Sequence, residues 1–410
     1  MSSTVTDDVV YDAVIIGAGL SGLAAAQRIL SRNPSAKIVV LEARDRVGGR
    51  TLTDPTTGSD LGGSYVGPTQ DRILRVAAQH GIDTYLVYCK GKVIFRNVLS
   101  GQIDAGSIDF PPIGLYGLLD FNYILVKIED LVSQVDVNDP SKMENAEALD
   151  KISVRQWIEQ HCVSEEVRST FPRVVDSIVF KSCEQISMLY FLWYAKSGDT
   201  LKRLMDITNG AQERKLIGGS SLVSRRIAEA LGPTIVALNA PVTCIDQNNK
   251  NQIKVTCRNG KYYTAQRVIV ALAPPLYKSI TWTPSLPSDK TLLAAKISMG
   301  HVVKTFLYYD KAWWRDLGFT GQVWDINGPV LYSVDDCKAD VSNACLMGFV
   351  VGHDAIVLQK KSKAERQEAI IAQYKELFNC EEAGKPTAYD DMDWNAEEFS
   401  GGGPCATPEI

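Results

Sequence analysis

Tyr11-Asp-Ala-Val-Ile-Ile16, Gly17-Ala-Gly19-Leu-Ser-Gly22 and Leu23-Ala-Ala-Ala-Gln-Arg-Ile-Leu30 form the stretch on which the fold turns. A short β-rich run enters a G-x-G-x-x-G loop and leaves it as a helical pattern. Lys37-Ile-Val-Val-Leu41 is a second strand-like run, so a βαβ unit opens the chain. In such a loop the first glycine permits the tight turn, the second lets the backbone approach a diphosphate, and the third allows close helix–strand packing. Ala26 keeps that packing interface small one helical turn later. The diphosphate then sits on the helix N-terminus, where free N–H groups and the macrodipole favour negative charge. Glu42 ends the second strand, where a carboxylate accepts hydrogen bonds from ribose hydroxyls and repels a 2′-phosphate. A glycine pattern alone is often only a turn; strand, glycines, helix, strand and acid in order select a dinucleotide.

The next residues separate FAD from NAD. Arg46-Val-Gly48-Gly49-Arg50-Thr-Leu-Thr53 sets two arginines around a glycine pair directly after the ribose acid. Such a loop brings N–H groups and guanidinium forks to a diphosphate a second time. On spacing alone it also reads as a solvated turn, but a plain NAD dehydrogenase does not need the second contact, and FAD is the better reading.

Further out, 410 residues allow roughly two or three domains. A hydrophobic share of 45% and a charged share of 22% are ordinary for a globular protein and argue against disorder. A net charge of −5, spread along the chain, leaves no electrostatic footprint for nucleic acid. The N-terminus has neither a basic nor an apolar signal region, and no apolar run is long enough to span a bilayer, so a cytoplasmic protein is expected. The nine cysteines are irregularly spaced with no C-x-x-C pair, which reads as reduced thiols and no metal site. The four histidines (His80, His161, His301, His353) do not converge.

Helical, amphipathic sequence runs over 118–166 and continues aromatic-rich over 167–196; 216–231 reads as a loop feeding a helix. Strands are expected over 234–245, 252–258 and 267–272, with Asn259-Gly260 as a turn, and another over 297–309. A charged helix is expected over 360–378. Phe110-Pro-Pro-Ile-Gly-Leu-Tyr-Gly-Leu-Leu119 reads as a loop packed on the body, with a substrate entrance or a membrane contact as the sharper alternatives. The mix predicts an α/β fold: a Rossmann-like FAD-binding domain built from discontinuous segments, with an inserted α+β substrate domain.

Several motifs resemble those of the flavin-containing monoamine oxidases. They are Leu41-Glu-Ala-Arg-Asp-Arg-Val-Gly-Gly-Arg-Thr51, Asp60-Leu-Gly-Gly-Ser-Tyr-Val-Gly-Pro-Thr-Gln70, Phe191-Leu-Trp-Tyr194, Thr208-Asn-Gly-Ala-Gln-Glu-Arg-Lys215 and Pro329-Val-Leu-Tyr-Ser-Val-Asp-Asp336. The resemblance runs in unbroken order from about Tyr11 to Ser400. It implies FAD segments at 1–84, 217–291 and 397–410, and substrate segments at 85–216 and 292–396. The implied reaction is oxidative deamination of a primary or secondary amine, with hydride passing to flavin N5 and O2 yielding peroxide; a homodimer is a further expectation. Position by position, Gly17, Gly19, Gly22, Glu42, Arg44, Gly49, Arg50, Gly62, Ser64, Val242 and Trp394 resemble FAD contacts. By residue type alone Val242 is an ordinary strand valine. Tyr194, Met205, Gln212, Tyr332, Ser177 and Ile178 resemble the substrate cavity lining, although each also reads as plain core.

Lys304 lies in His301-Val-Val-Lys-Thr-Phe-Leu-Tyr-Tyr309, where period-two alternation puts Val302, Phe306 and Tyr308 on its face. Buried lysines are rare, so residue type alone favours an edge-strand gatekeeper. The resemblance instead makes it the flavin-site lysine that holds a water near N5. Two departures stand out. Gly403 and Pro404 occupy the positions of the animal enzymes' flavin-linked cysteine and first cage tyrosine, with Cys405 two residues late, which predicts noncovalent FAD. The family's closing segment would follow Ile410, so the chain reads as truncated. That leaves room for a catalytically impaired homologue acting as a binding or regulatory protein. A polyamine or L-amino-acid oxidase on the same scaffold is the other alternative, the latter wanting an arginine that none of the pocket positions supplies.

Overall fold

A computed structural model describes residues 9–107, 113–249 and 252–410. The opening unit forms as read. Ala13–Ile16 and Ile38–Leu41 are fully buried parallel strands joined by the Leu20–Arg32 helix. Val268–Val270 and Val236–Ala237 complete a four-stranded parallel sheet, so its strands come from three distant parts of the sequence. Such continuous β-branched runs are what a sheet covered on both faces requires. One cover is a mixed five-stranded sheet in which Ile253–Cys257 and Tyr262–Ala265 form the hairpin marked by Asn259-Gly260. Gly260 takes φ +83, the conformation the turn demands.

The second half is built on a seven-stranded sheet in the order 388–393, 302–309, 344–351, 332–335, 319–324, 92–96 and 103–106. The helices Leu115–Gln134, Val154–His161, Glu165–Val179 and Met188–Ser197 pack around their own core, which includes Ile124, Trp157, Phe171 and Phe191. Ser153 and Ser362 close capping boxes on the helices that follow them, and the latter starts the expected charged helix at Lys363.

The 234–245 strand is broken, because Asn239 adopts φ +54 and Pro241 follows, leaving Val236–Ala237 and Val242–Asp246. The 297–309 run is likewise split into Ile297–Met299 and Val302–Tyr309. Val302–Tyr309 is an interior strand, paired with Ala344–Val351 on one side and Ala388–Asp393 on the other. The gatekeeper reading of Lys304 therefore fails, since gatekeepers belong to open edges. Phe110, Pro111 and Pro112 lie outside the described residues. Leu115–Leu119 opens a helix where a loop was expected, with Leu115, Tyr116 and Leu119 exposed. No helix among the described residues is long and apolar enough to cross a membrane.

Candidate active site

The nucleotide end is shaped by three glycines with different duties. Gly17 takes φ +99, and a Cβ there would meet Ala271 O at 3.0 Å. At Gly22 a Cβ would lie 1.9 Å from Gly17 O, so only hydrogen lets the helix close on the strand. A Cβ on Gly19 meets nothing within 4 Å. It opens onto a groove at the start of a helix whose first N–H groups have no side-chain cap. That is a cradle for a diphosphate. Gly48 and Gly49, both at positive φ, fold the second loop against Gly19. Glu42 is buried; it accepts from Ala18 N (2.7 Å) and Arg44 N (3.0 Å), which fixes its carboxylate at the lip of the cradle. These groups suit a dinucleotide.

A single cavity of about 1750 Å³ runs from this cradle into the second half. That exceeds the roughly 300–1,000 Å³ typical of one small-molecule site, as expected for a cofactor and a substrate together. Every residue proposed from sequence lines it except Gly22, whose role is the packing just described. Val242 contributes with Ala240 and Pro241 beside it, and Trp394 is buried with its Nε1 donating to Leu61 O (2.8 Å).

Lys304 sits at the junction of the two ends. It is 4% exposed, and its Nζ donates to Asp60 O (2.6 Å), Gly62 O (2.9 Å) and Ser64 Oγ (2.9 Å). Those three acceptors take all three hydrogens of an ammonium, so a water held by Lys304 needs one of these bonds to open or the amine to be neutral. Burial draws its pKa down to about 8, opposed by Asp336 and assisted by Lys215. The acceptor loop is itself anchored, since Asp60 Oδ1 accepts from Thr53 Oγ1 (2.6 Å), Ser220 N (2.9 Å) and Ser220 Oγ (3.1 Å). Gly62 permits that loop to pass the backbone of the arginine loop, where a Cβ would lie 2.1 Å from Arg50 O.

Beyond Lys304 the wall is aromatic. Tyr332 stacks on Phe349 (6.2 Å, 9°) and tilts on Trp324 (4.9 Å), while Phe180 meets Phe349 edge-on (5.5 Å). Tyr194, Met205, Ser177, Ile178 and Gln212 lie on the cavity wall, and Gln212 Nε2 is pinned to Leu204 O (3.0 Å). Burial pushes the hydroxyls of Tyr194 and Tyr332 well up, so both stay neutral. Cys405 places its Sγ 3.2 Å from Tyr194 Oη. Gly403 and Pro404 line the cavity beside it.

Sequence reasoning missed Trp324, Phe349 and two arginines. None of the pocket positions named from sequence is an arginine, but Arg96 and Arg173 also line the cavity. Both are committed, Arg96 to Asp325 and Glu376, Arg173 to Asp176 and Asp354. The Arg173–Asp176 spacing of three on a helix was the one legible signal of that commitment. Trp324 and Phe349 carried none, because partners in the strands Phe319–Trp324 and Ala344–Val351 are set by register alone.

A strap crosses the nucleotide end. Phe399 lies between two guanidinium groups, Arg44 at 5.6 Å and Arg258 at 5.5 Å from its ring centre. The neighbouring acids complete it, Glu397 pairing with Arg44 (3.1 Å) and Glu398 with Arg258.

The family model for flavin containing amine oxidoreductase matches residues 20–409. The chain belongs to the flavin-containing amine oxidase family. Flavin-containing amine oxidase B of Mus musculus is 37% identical over 398 residues, covering 95% of this chain and 75% of the relative. Amine oxidase A of Equus caballus is 35% identical, covering 96% and 74%. Among solved structures, putrescine oxidase bound to putrescine superposes with a TM-score of 0.92 at 29% identity, covering 98% and 88% of the two chains. Cyclohexylamine oxidase from Brevibacterium oxydans gives 0.91 at 27%. The cofactor of this amine oxidase is FAD, the group that its cradle, ribose acid and second glycine loop suit.

Proposed function

We propose that this amine oxidase deaminates primary amines, and secondary amines as a further substrate class, releasing aldehyde and ammonia or amine. The observation that carries the reading is the continuity of one cavity from the diphosphate cradle, past Lys304, to the Tyr332–Phe349–Trp324 wall. FAD held along the cradle would supply the redox chemistry, a two-electron oxidation of the amine to an imine that water hydrolyses to aldehyde and ammonia or amine, with O2 reduced to hydrogen peroxide. The chain's own work is positioning and desolvation. An apolar, aromatic wall favours the uncharged amine, the form that can give up its α-hydrogen. Tyr332, Phe349 and Trp324 exclude water and hold the carbon skeleton, so that the α-carbon is presented in one orientation. Lys304 offers a polar N–H group at the junction, where a proton can be held or exchanged close to the reacting atoms.

With Gly403 in place of a cysteine, we read the FAD as noncovalently held. The same reading assigns 1–84, 217–291 and 397–410 to the cofactor half and 85–216 and 292–396 to the substrate half; the four-, five- and seven-stranded sheets each draw on one set alone, which supports it, while two small sheets join the halves. An L-amino acid is disfavoured because Arg96 and Arg173, the arginines of the substrate half that line the cavity, are already paired with carboxylates. The test is stoichiometric: with air and benzylamine or a short alkylamine, peroxide and aldehyde should form one for one. Peroxide without aldehyde, or neither, would overturn the assignment.

A further inference from the structure

Two of the motifs that carry the family resemblance end on residues with no assigned part, Lys215 and Asp336. The fold brings them together. Lys215, 2% exposed, donates to Asp336 Oδ1 at 2.5 Å, and the Asp336 side chain is 1% exposed. Lys215 comes from the short strand Arg214–Leu216, paired directly with Tyr65. Its Nζ also lies 5.9 Å from the centre of the Tyr65 ring, next to Ser64 in the loop that receives Lys304. Asp336 follows the Tyr332–Asp335 strand, and its N–H donates to Cys345 O (2.8 Å) in the strand that pairs with Lys304's own.

The pair is poorly satisfied for a purely structural element. Asp336 Oδ2 has no hydrogen-bond partner among the described residues, and neither have the nearby Asp60 Oδ2 and Tyr65 Oη. Replacing a buried ion pair with apolar side chains of similar volume is often neutral or stabilising, so retention of an under-satisfied pair needs another reason. We propose that Lys215 and Asp336, set outside the cavity lining beside the loop that receives Lys304, are positioning residues for it, the carboxylate favouring charge on the Lys304 amine and the ammonium opposing it. The proposal rests on the reading that Lys304 serves the reaction at this site.

The groups that face Lys304 can be named. Asp60 comes from its acceptor loop, Lys215 and Asp336 from outside the cavity lining, and Cys345 from the adjacent strand. The neighbouring strand on the other side places the neutral Met392 opposite it. The rings of Phe306 and Phe349 lie 5.4 and 5.5 Å from the ammonium. Burial pulls the Lys215 ammonium down, but Asp336, with Tyr85 and Asp60, more than offsets this, so Lys215 stays charged. Burial also dominates at Lys304, with Asp336 and Lys215 the next two influences and of opposite sign.

The opposite signs make the test sharp. Holoenzyme labelled with ε-13C lysine is titrated by NMR, the Lys304 signal being the one lost in Lys304→Met. Asp336→Asn should move the Lys304 midpoint down and Lys215→Met should move it up, each by about one pH unit. The double variant Lys215→Met with Asp336→Leu should return it close to the wild-type value. The pH profile of anaerobic flavin reduction should move with each midpoint. Both single variants moving the midpoint the same way, or neither moving it, would overturn the proposal. If Asp336→Asn fails to fold, the Lys215→Met and double-variant titrations decide, an unmoved Lys215→Met midpoint counting against it. Should the midpoints move as stated while Lys304→Met oxidises amines at the wild-type rate, the coupling stands and the reading of Lys304 at the reaction centre fails.

Discussion

Lys304 is held by three acceptors and by burial that works against its charge, and the two effects lead to separate expectations. Replacing it with methionine removes the polar group at the junction of cofactor and substrate. Anaerobic flavin reduction should then slow by roughly 10²-fold, at the low end of what a positioned proton-transfer group contributes. A variant reducing at the wild-type rate would remove Lys304 from the mechanism. The pH dependence of stability has a definite sign. The folded value of about 8 lies below the ordinary 10.5, so between them the unfolded chain binds the proton more readily. The penalty is present in full below about pH 8 and is relieved as pH rises towards 10.5. The gap corresponds to about 3 kcal/mol. Denaturant melts of wild type should therefore gain on those of Lys304→Met by up to that amount across this window; parallel curves would contradict the burial account.

At the scale of elements, the glycine loop separates packing from binding. Gly22→Ala puts a methyl group into Gly17 O and should destabilise the fold by about 1–3 kcal/mol, seen as a lower melting temperature of the apoprotein. Gly19→Ala has open space and should leave that melt unchanged while weakening FAD binding at least tenfold by flavin titration, because its methyl points into the cradle. The Arg44–Phe399–Arg258 strap closes the same end. Two partly exposed cation–π contacts of about 0.5–1 kcal/mol each hold that strap on the protein, so Phe399→Ala should lower folding stability by about 1–2 kcal/mol in denaturant melts, and an unchanged melt would show that the strap is held by its ion pairs alone. A smaller loss in the Gly19→Ala flavin titration would show that the cofactor is held elsewhere.

What could be read in advance follows the same division. The first βαβ unit was legible because its glycines, its short continuous β-branched runs and its terminal acid are local in the chain, and each has a physical reason. The hairpin at Asn259-Gly260 was legible for the same cause. Most of the seven-stranded sheet was not read. Phe319–Trp324 pairs with Lys92–Arg96, and Ala344–Val351 with Val302–Tyr309, across long separations, and buried strands of that kind lack alternation. Lys304 shows the limit most clearly. Its face was assigned correctly from period two, but whether its strand was an edge or interior depended on Ala388–Asp393, far along the chain.

Across the whole molecule, the cavity is walled by residues from Ile16 to Pro404, so a bound cofactor touches segments that are otherwise joined only by the chain and the core. FAD should therefore act as a brace. At a concentration a hundred times its dissociation constant, binding to the folded form alone adds about 2.7 kcal/mol, and thermal melts should rise with added FAD in proportion to the logarithm of its concentration. A melt indifferent to FAD would mean that the groove does not hold it in the folded protein.

The central claim is that an uncharged amine, seated against Tyr332 and Phe349, delivers its α-hydrogen to FAD beside Lys304. Mixing the FAD-loaded protein with benzylamine or a short alkylamine in the absence of oxygen tests it most directly. The account predicts that the yellow absorption of the oxidised flavin bleaches, and returns when air is admitted. A flavin that stays oxidised with every primary amine offered would contradict it.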